Sequence, residues 1–300
     1  MILTATFKQN VVKALLTVRG NYTGSDSAFA TQWGINPSVF STLKNRQSYD
    51  GLLRDSQWLN LGRELNVNLH ERKWNTANTE VFAAIQEEVL FCKQNAKAII
   101  LVDDCAIGKT YTAKYLSKTV ENCFYIDCSQ STGIRDFIRA FAKAIGVEAV
   151  GRLTEIKANI KYYLRQMPSP IIILDEAGDL EYRTFLMLKE FWNATDGYCG
   201  WYMMGADGLR SKMERGIRSQ KVGYREIFSR FNNRYRGIVP KDKQEKLGFY
   251  KTLISDVLSA NCSNKEMVNK LTAKCLRNDG DDEIGGLRRA ESLLILENKN

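Results

Sequence analysis

The sequence predicts an α/β protein: a parallel sheet flanked by helices, preceded by an all-helical segment and followed by a small helical lid. Three observations carry that expectation. The apolar run Ala98–Val102 breaks into a turn ending Gly108-Lys109-Thr110, and helical periodicity follows at once. A second run, Ile171–Leu174, ends in the acid pair Asp175-Glu176. Further short apolar runs, Cys123–Asp127 and Gly200–Asp207, alternate with helical stretches as strand–helix–strand units require.

Composition sets the outer bounds. A chain of 300 residues, 44% hydrophobic and 26% charged, is ordinary for a globular protein and long enough for two domains. The net charge of +9 favours a polyanionic partner, with nucleic acid the simplest. Seven cysteines form no C-x-x-C pair, and the single histidine, His70, excludes a His-rich metal cluster. The thiols are therefore expected to be reduced and mostly buried. No stretch approaches the about 18 apolar residues of a membrane span, and the first residues lack the apolar core of a signal peptide. A cytoplasmic protein with no membrane partner is expected.

Four segments follow from these patterns: an all-helical domain over 1–70, a linker over 71–79, a nucleotide-binding domain over 80–240 and a helical lid over 241–300. A helix over 7–20 carries Val11, Val12, Leu15, Leu16 and Val18. Within Ser27–Arg46, one helix holds Phe29, Ala30 and Trp33, Gly34 supplies a turn, and Ile35 plugs the core. A second helix begins near Pro37 and turns Val39, Phe40 and Leu43 inward. That leaves Ser38, Ser41, Thr42, Asn45 and Arg46 outward, polar groups suited to phosphates and base edges. The stretch resembles the helix-turn-helix of phage repressors, which implies double-stranded DNA as partner. A plain three-helix bundle with a solvated polar face is the alternative. A closing helix is expected over Trp58–Leu69, and another over Val81–Asn95 leads into the first strand.

The turn after that strand has the pattern that cradles triphosphates. Backbone amides of Asp104, Cys105, Ala106, Ile107 and Gly108 would face the phosphates, Lys109 the β/γ oxygens, and Thr110 a Mg²⁺ ion. Asp103 stands where the pattern has glycine, so backbone strain and charge repulsion are expected to weaken the site and slow turnover. An amphipathic helix over Ser131–Gly146 presents Arg135, Arg139 and Lys143, and a further helix spans Leu153–Gln166. At the third strand's end, Asp175 would hold Mg²⁺ through water and Glu176 would polarise the attacking water. Beyond the fourth strand, Ala206 occupies the place of a polar sensor.

From Leu209 to Arg236 the chain carries nine Lys/Arg against Glu214 and Glu226. A phosphate-contacting loop using Arg210, Lys212 and Arg218 is expected, a solvated face being the alternative. Arg230, in Glu226–Phe231, is placed like an arginine that completes a neighbour's site; a structural ion pair is the other reading. Helices are expected over Gln244–Ala260 and Lys265–Arg277, then an acidic loop Asp279–Glu283. A last helix carries Arg288 and Arg289 in its first turn, where cations sit poorly unless an anion is bound. Guanine specificity is disfavoured, because Asn264-Lys265 continues into Glu266-Met267.

Gly108-Lys109-Thr110, Asp175-Glu176, Ser229-Arg230-Phe231 and Gly286-Leu287-Arg288-Arg289 together resemble the motif set of AAA+ ATPases, over residues 80–298. With the repressor-like helices in front, the chain is similar to the transposition ATPases of the phage Mu B, Tn7-like and insertion-sequence helper type. That resemblance implies ATP and Mg²⁺ as cofactors, slow hydrolysis, and a homo-oligomeric filament or ring on duplex DNA that recruits and activates a transposase. It also implies roles for Arg230 as arginine finger and Arg288 as nucleotide sensor. A helicase-loading ATPase and a DNA-binding regulator with structural nucleotide are the alternative functions.

Overall fold

The computed structural model describes residues 3–20, 22, 24–45, 49–65, 67–69, 74–276 and 285–297. Arg46, His70, residues 71–73 of the expected linker and the acidic loop 279–283 lie outside them. The chain divides into two compact units: 1–73 with 135–163, and 74–134 with 164–300.

The first unit begins with α1 (Ala5–Gly20), α2 (Asp26–Gln32), α3 (Pro37–Asn45) and α4 (Asp55–Glu64). Phe7, Val11, Val12 and Leu15 recur at helical spacing and are buried on α1. Ser25 caps α2 by accepting from the Ala28 amide at 3.2 Å. The turn into α3 uses Gly34 at φ 66°, and Ile35 is buried behind it. Asn36 then accepts from the Ser38 amide at 2.9 Å and opens α3, whose Phe40 and Leu43 face the core. The fourth helix ends at Glu64 and not at Leu69. Gly62 lies under the Phe7 ring, where a Cβ would come within 2.7 Å, and the Val67 amide folds back onto the Gly62 carbonyl at 2.7 Å. Residues 135–163 add α7 (Ile134–Ile145) and most of α8 (Leu153–Gln166) to this unit. Lys143 of α7 pairs with Glu64 at 2.8 Å and lies 5.7 Å from the Trp33 ring centroid.

The second unit holds α5 (Glu80–Asn95), β1 (Ala98–Val102), α6 (Lys109–Thr119), β2 (Cys123–Asp127), β3 (Ile171–Asp175), α9 (Tyr182–Ala194) and β4 (Gly200–Gly205). It continues with α10 (Asp207–Arg218), α11 (Tyr224–Arg230), β5 (Tyr235–Arg236), α12 (Lys243–Asn261), α13 (Lys265–Leu276) and α14 (Leu287–Glu297). Its strands form one parallel sheet in the order β2-β3-β4-β1-β5. Strands β3 and β4 are buried at every position, which their unbroken apolar runs require. Gly200 starts β4 because a Cβ there would fall 2.5 Å from the Cys92 carbonyl of α5.

Sheet order positions the site. Strand β4 lies between β1 and β3, so its end at Gly205–Ala206 separates the turn after β1 from the acids after β3. The basic stretch 209–236 is not a loop: it is α10, α11 and the edge strand β5. Its charges sit on amphipathic helices whose apolar positions, Leu209, Met213, Tyr224 and Ile227, are buried. Residues 74–79 are fastened to this unit. Asn75 exchanges hydrogen bonds with Asn261 and the Ala260 carbonyl, and Thr76 meets the Tyr111 hydroxyl at 2.6 Å. The C-terminal helices share a core with the sheet, Tyr250, Ile254, Leu271 and Leu294 belonging to the same buried cluster as Leu101 and Ile173.

Candidate active site

The turn between β1 and α6 owes its shape to two left-handed residues, Ala106 at φ 56° and Gly108 at φ 102°. Gly108 is the N-cap of α6, so the first amides of that helix point out of the turn, where they suit an anion. Lys109 is buried, and its ammonium donates to the carbonyls of Asp103 at 2.8 Å and Asp104 at 2.5 Å. Burial pushes the lysine below its ordinary pKa, against the opposing charges of Cys105, Asp103, Glu176 and Asp175. The acids after β3 lie at the same edge of the parallel sheet as the lysine, one strand away across the end of β4. Thr110 follows in the first turn of α6, half-buried.

Asp103 does not do what its position suggested. Its φ is not left-handed, so no glycine is needed there. Its carboxylate turns away from the cradle: Oδ1 accepts from the Asp104 amide at 2.8 Å, and Oδ2 accepts from the Val239 amide at 3.0 Å and from the Ile238 amide. The charge expected to repel phosphate is instead fixed on the connection between β5 and α12. Asp104 is anchored likewise, with Oδ2 accepting from Tyr250 at 2.9 Å and pairing with Lys246 at 2.6 Å, both on α12. Burial alone would raise its carboxyl. The Lys246 and Tyr250 hydrogen bonds and the nearby Lys109 charge outweigh it, so the group ends below its ordinary value.

The start of α14 closes on the same turn. The Leu287 amide donates to the Ala106 carbonyl at 2.8 Å, and a Cβ at Gly286 would lie 2.8 Å from that oxygen, so only glycine fits the approach. Arg288 is exposed one residue further on. On the other side, Asp175 is 1% exposed; its Oδ1 accepts from the Glu176 amide and its Oδ2 from the Tyr125 hydroxyl, each at 3.0 Å. Glu176 is left-handed at φ 49°, a strained geometry that turns its carboxylate off the strand. Partial desolvation and the Asp175 charge raise its pKa above its ordinary value. One hydroxyl and one buried carboxylate fit a Mg²⁺ ion that takes its remaining ligands from phosphates and water.

The remaining sequence candidates are scattered. Ser38, Ser41 and Asn45 are exposed on α3 and Thr42 half-buried, but Thr42 and Asn45 bond back to the Ser38 and Ser41 carbonyls at 3.0 Å. Arg135 and Arg139 are exposed on α7. Lys212 is not a free cation: it donates to the carbonyls of Gly178, at 2.8 Å, and Leu180, and burial lowers its pKa. Arg210 lies over the Tyr235 ring at 5.3 Å. Arg218 is exposed, as are Arg215, Arg225 and Arg234, which sequence reasoning did not single out. Arg230 donates from Nε to Asn193 and from Nη1 to the Glu226 carbonyl, each at 2.7 Å, over the Trp192 ring. No carboxylate partners it in these contacts. Tyr125, Lys246 and Tyr250 also escaped the sequence reading, since none belongs to a motif.

Residues 92–213 match the family model described as an AAA domain. That span runs from the end of α5 through the turn, the acid pair and β4 into α10. Fold, turn and match together define the class: the chain has an α/β P-loop fold of the AAA+ kind, and its residues 92–213 match an AAA domain. No curated protein matches the chain. Among solved structures it is similar to a chain described as "Structure of Drosophila ORC bound to DNA", at 13% identity and a TM-score of 0.45. The match covers 85% of this chain and 65% of that one.

Removing the Asp103 carboxylate tests its role directly. Asp103→Ala leaves the Ile238 and Val239 amides unpaired and should lower stability by about 1–3 kcal/mol in urea unfolding. Nucleotide affinity, measured by titration, should not tighten; a tighter complex would show that the carboxylate faces the phosphates.

Proposed function

We propose that this protein is an ATP-driven switch that assembles on double-stranded DNA as a homo-oligomer and directs a transposase to its target. The observation that carries the switch is the convergence of Gly108-Lys109-Thr110, Asp175-Glu176 and the start of α14 on one end of the sheet. Lys109 gives up two carbonyls for the β/γ oxygens. Thr110 and Asp175 would hold Mg²⁺, which would supply positive charge to neutralise the phosphates. Glu176, with its raised pKa, accepts the proton of the attacking water more readily than an ordinary carboxylate would. Arg230, held by Asn193 and Trp192, acts on the site of the neighbouring copy. Ala206 offers no polar group between the two halves of the site, which supports slow turnover.

The DNA reading rests on the +9 net charge and on the exposed arginines Arg215, Arg218 and Arg225 of α10 and α11. The pair α2–α3, with its Gly34 turn and outward Ser38 and Ser41, supports a helix-turn-helix role. The transposase partner rests on the order of segments and on the family resemblance.

Electron microscopy with duplex DNA and a non-hydrolysable ATP analogue should show ordered assemblies that disappear without nucleotide and in Lys109→Ala. Assembly by Lys109→Ala equal to the parent would refute the nucleotide switch, and a discrete operator footprint without assembly would favour a regulator. Replacing Arg215, Arg218 and Arg225 by alanine should flatten the log–log salt dependence of DNA binding by about 0.9 for each phosphate no longer neutralised. Lys212→Ala should leave that slope as it is and lower the unfolding midpoint. In a pH–rate profile the acid limb should lie above the ordinary glutamate range, and Glu176→Gln should abolish turnover while ATP still binds.

A further inference from the structure

Tyr125 lies on β2 opposite Ile173 of β3, and Asp127 lies opposite Asp175. Side chains two apart on a strand share a face, so Tyr125 and Asp175 point to the same side of the sheet. The ring spans the step between them, and its hydroxyl donates to Asp175 Oδ2 at 3.0 Å. From the helix that follows the phosphate loop, Lys114 lies over the ring, 5.4 Å from its centroid. A phenylalanine would fill the same space without burying a hydroxyl, which costs free energy unless the group is paired. The pairing found is with one side chain, the carboxylate placed to hold the metal.

The donor count explains what that pairing achieves. A carboxylate oxygen has two lone-pair directions. The Glu176 amide takes one on Oδ1 and Tyr125 takes one on Oδ2, so both oxygens are fixed and one direction on each stays open.

Building on the ATPase reading above, we propose that Tyr125 is a positioning residue of the Mg²⁺ site: its hydroxyl locks the Asp175 carboxylate in the one rotation that takes up the metal. Partners of this kind, one step removed from the metal, typically change metal affinity about 10- to 100-fold when removed. Binding of a fluorescent ATP analogue to the full chain is titrated with Mg²⁺ from an EDTA baseline, in the parent, Tyr125→Phe, Asp175→Asn and the double variant. Tyr125→Phe should raise the half-saturating Mg²⁺ concentration about tenfold or more and leave affinity in EDTA at the parent value. In the Asp175→Asn background the same change should have no further effect, because Tyr125 acts only through that carboxylate. Urea midpoints in EDTA separate impaired folding from an impaired metal response.

A Mg²⁺ titration of Tyr125→Phe that overlays the parent, or an effect that persists undiminished in Asp175→Asn, overturns the proposal and leaves the nucleotide switch standing. A parent that binds the analogue with no Mg²⁺ dependence overturns both.

Discussion

Two carboxylates hold the phosphate-binding turn from its outer side, and the arrangement of the site depends on them. Asp103 ties the start of the turn to the backbone at 238–239, and Asp104 ties the next residue to Lys246 and Tyr250 of α12. The α14 end adds a third fastening through Leu287 and Ala106. The turn is thus joined to both ends of the C-terminal helical segment. The carbonyls of Asp103 and Asp104 are the same two that Lys109 occupies. A lysine that leaves those carbonyls for phosphate acts on a main chain whose side chains already grip α12. Lys109 and the segment from residue 238 into α12 thus grip the same two residues of the turn through short, direct bonds.

The electrostatics follow from the same packing. Lys109 is buried among Asp103, Asp175 and Glu176, and burial still wins, leaving the ammonium easier to deprotonate than usual. A bound triphosphate would reverse that balance by adding negative charge at closer range. Glu176 shows the converse effect: desolvation and Asp175 raise it, the direction that suits a base near neutral pH.

Much of this was legible in the sequence. β1 and β2 fell where the short apolar runs placed them: β1 lies inside the sheet and is almost wholly buried, and the edge strand β2 still buries Cys123, Phe124 and Ile126. The acid pair and the Gly-Lys-Thr turn were found because their chemistry demands fixed residue types at fixed spacing. What stayed hidden depended on distant contacts. Nothing local says that Asp103 bonds to residues 238–239, and a glycine missing from a motif looks like damage until its φ is known. The edge strand β5 is two residues long, with no apolar run to announce it. Near the end of α4, Gly62 leaves room for the Phe7 ring, a contact across more than fifty residues of chain. Residues 135–163 read as part of the nucleotide-binding segment, yet they pack with the N-terminal helices through pairs such as Lys143 and Glu64.

Net charge is the weakest of the sequence clues, and the stretch 209–236 shows why. Of its cations, Lys212 holds two carbonyls, Arg236 pairs with Glu88 at 2.7 Å, Lys221 lies 3.8 Å from the Tyr182 ring centroid, and Arg230 is held by Asn193. Four arginines, Arg215, Arg218, Arg225 and Arg234, are left exposed. The surplus that a count offers to DNA is therefore about halved by internal work, and what remains is defined by position. The same logic changes the meaning of Arg230. The Asp103 carboxylate is already paired with the 238–239 amides, so its charge gives no separate reason for oligomerisation. The case for Arg230 acting between copies rests on its own geometry: a guanidinium oriented by an amide, a carbonyl and an indole, with no carboxylate among these partners to neutralise it.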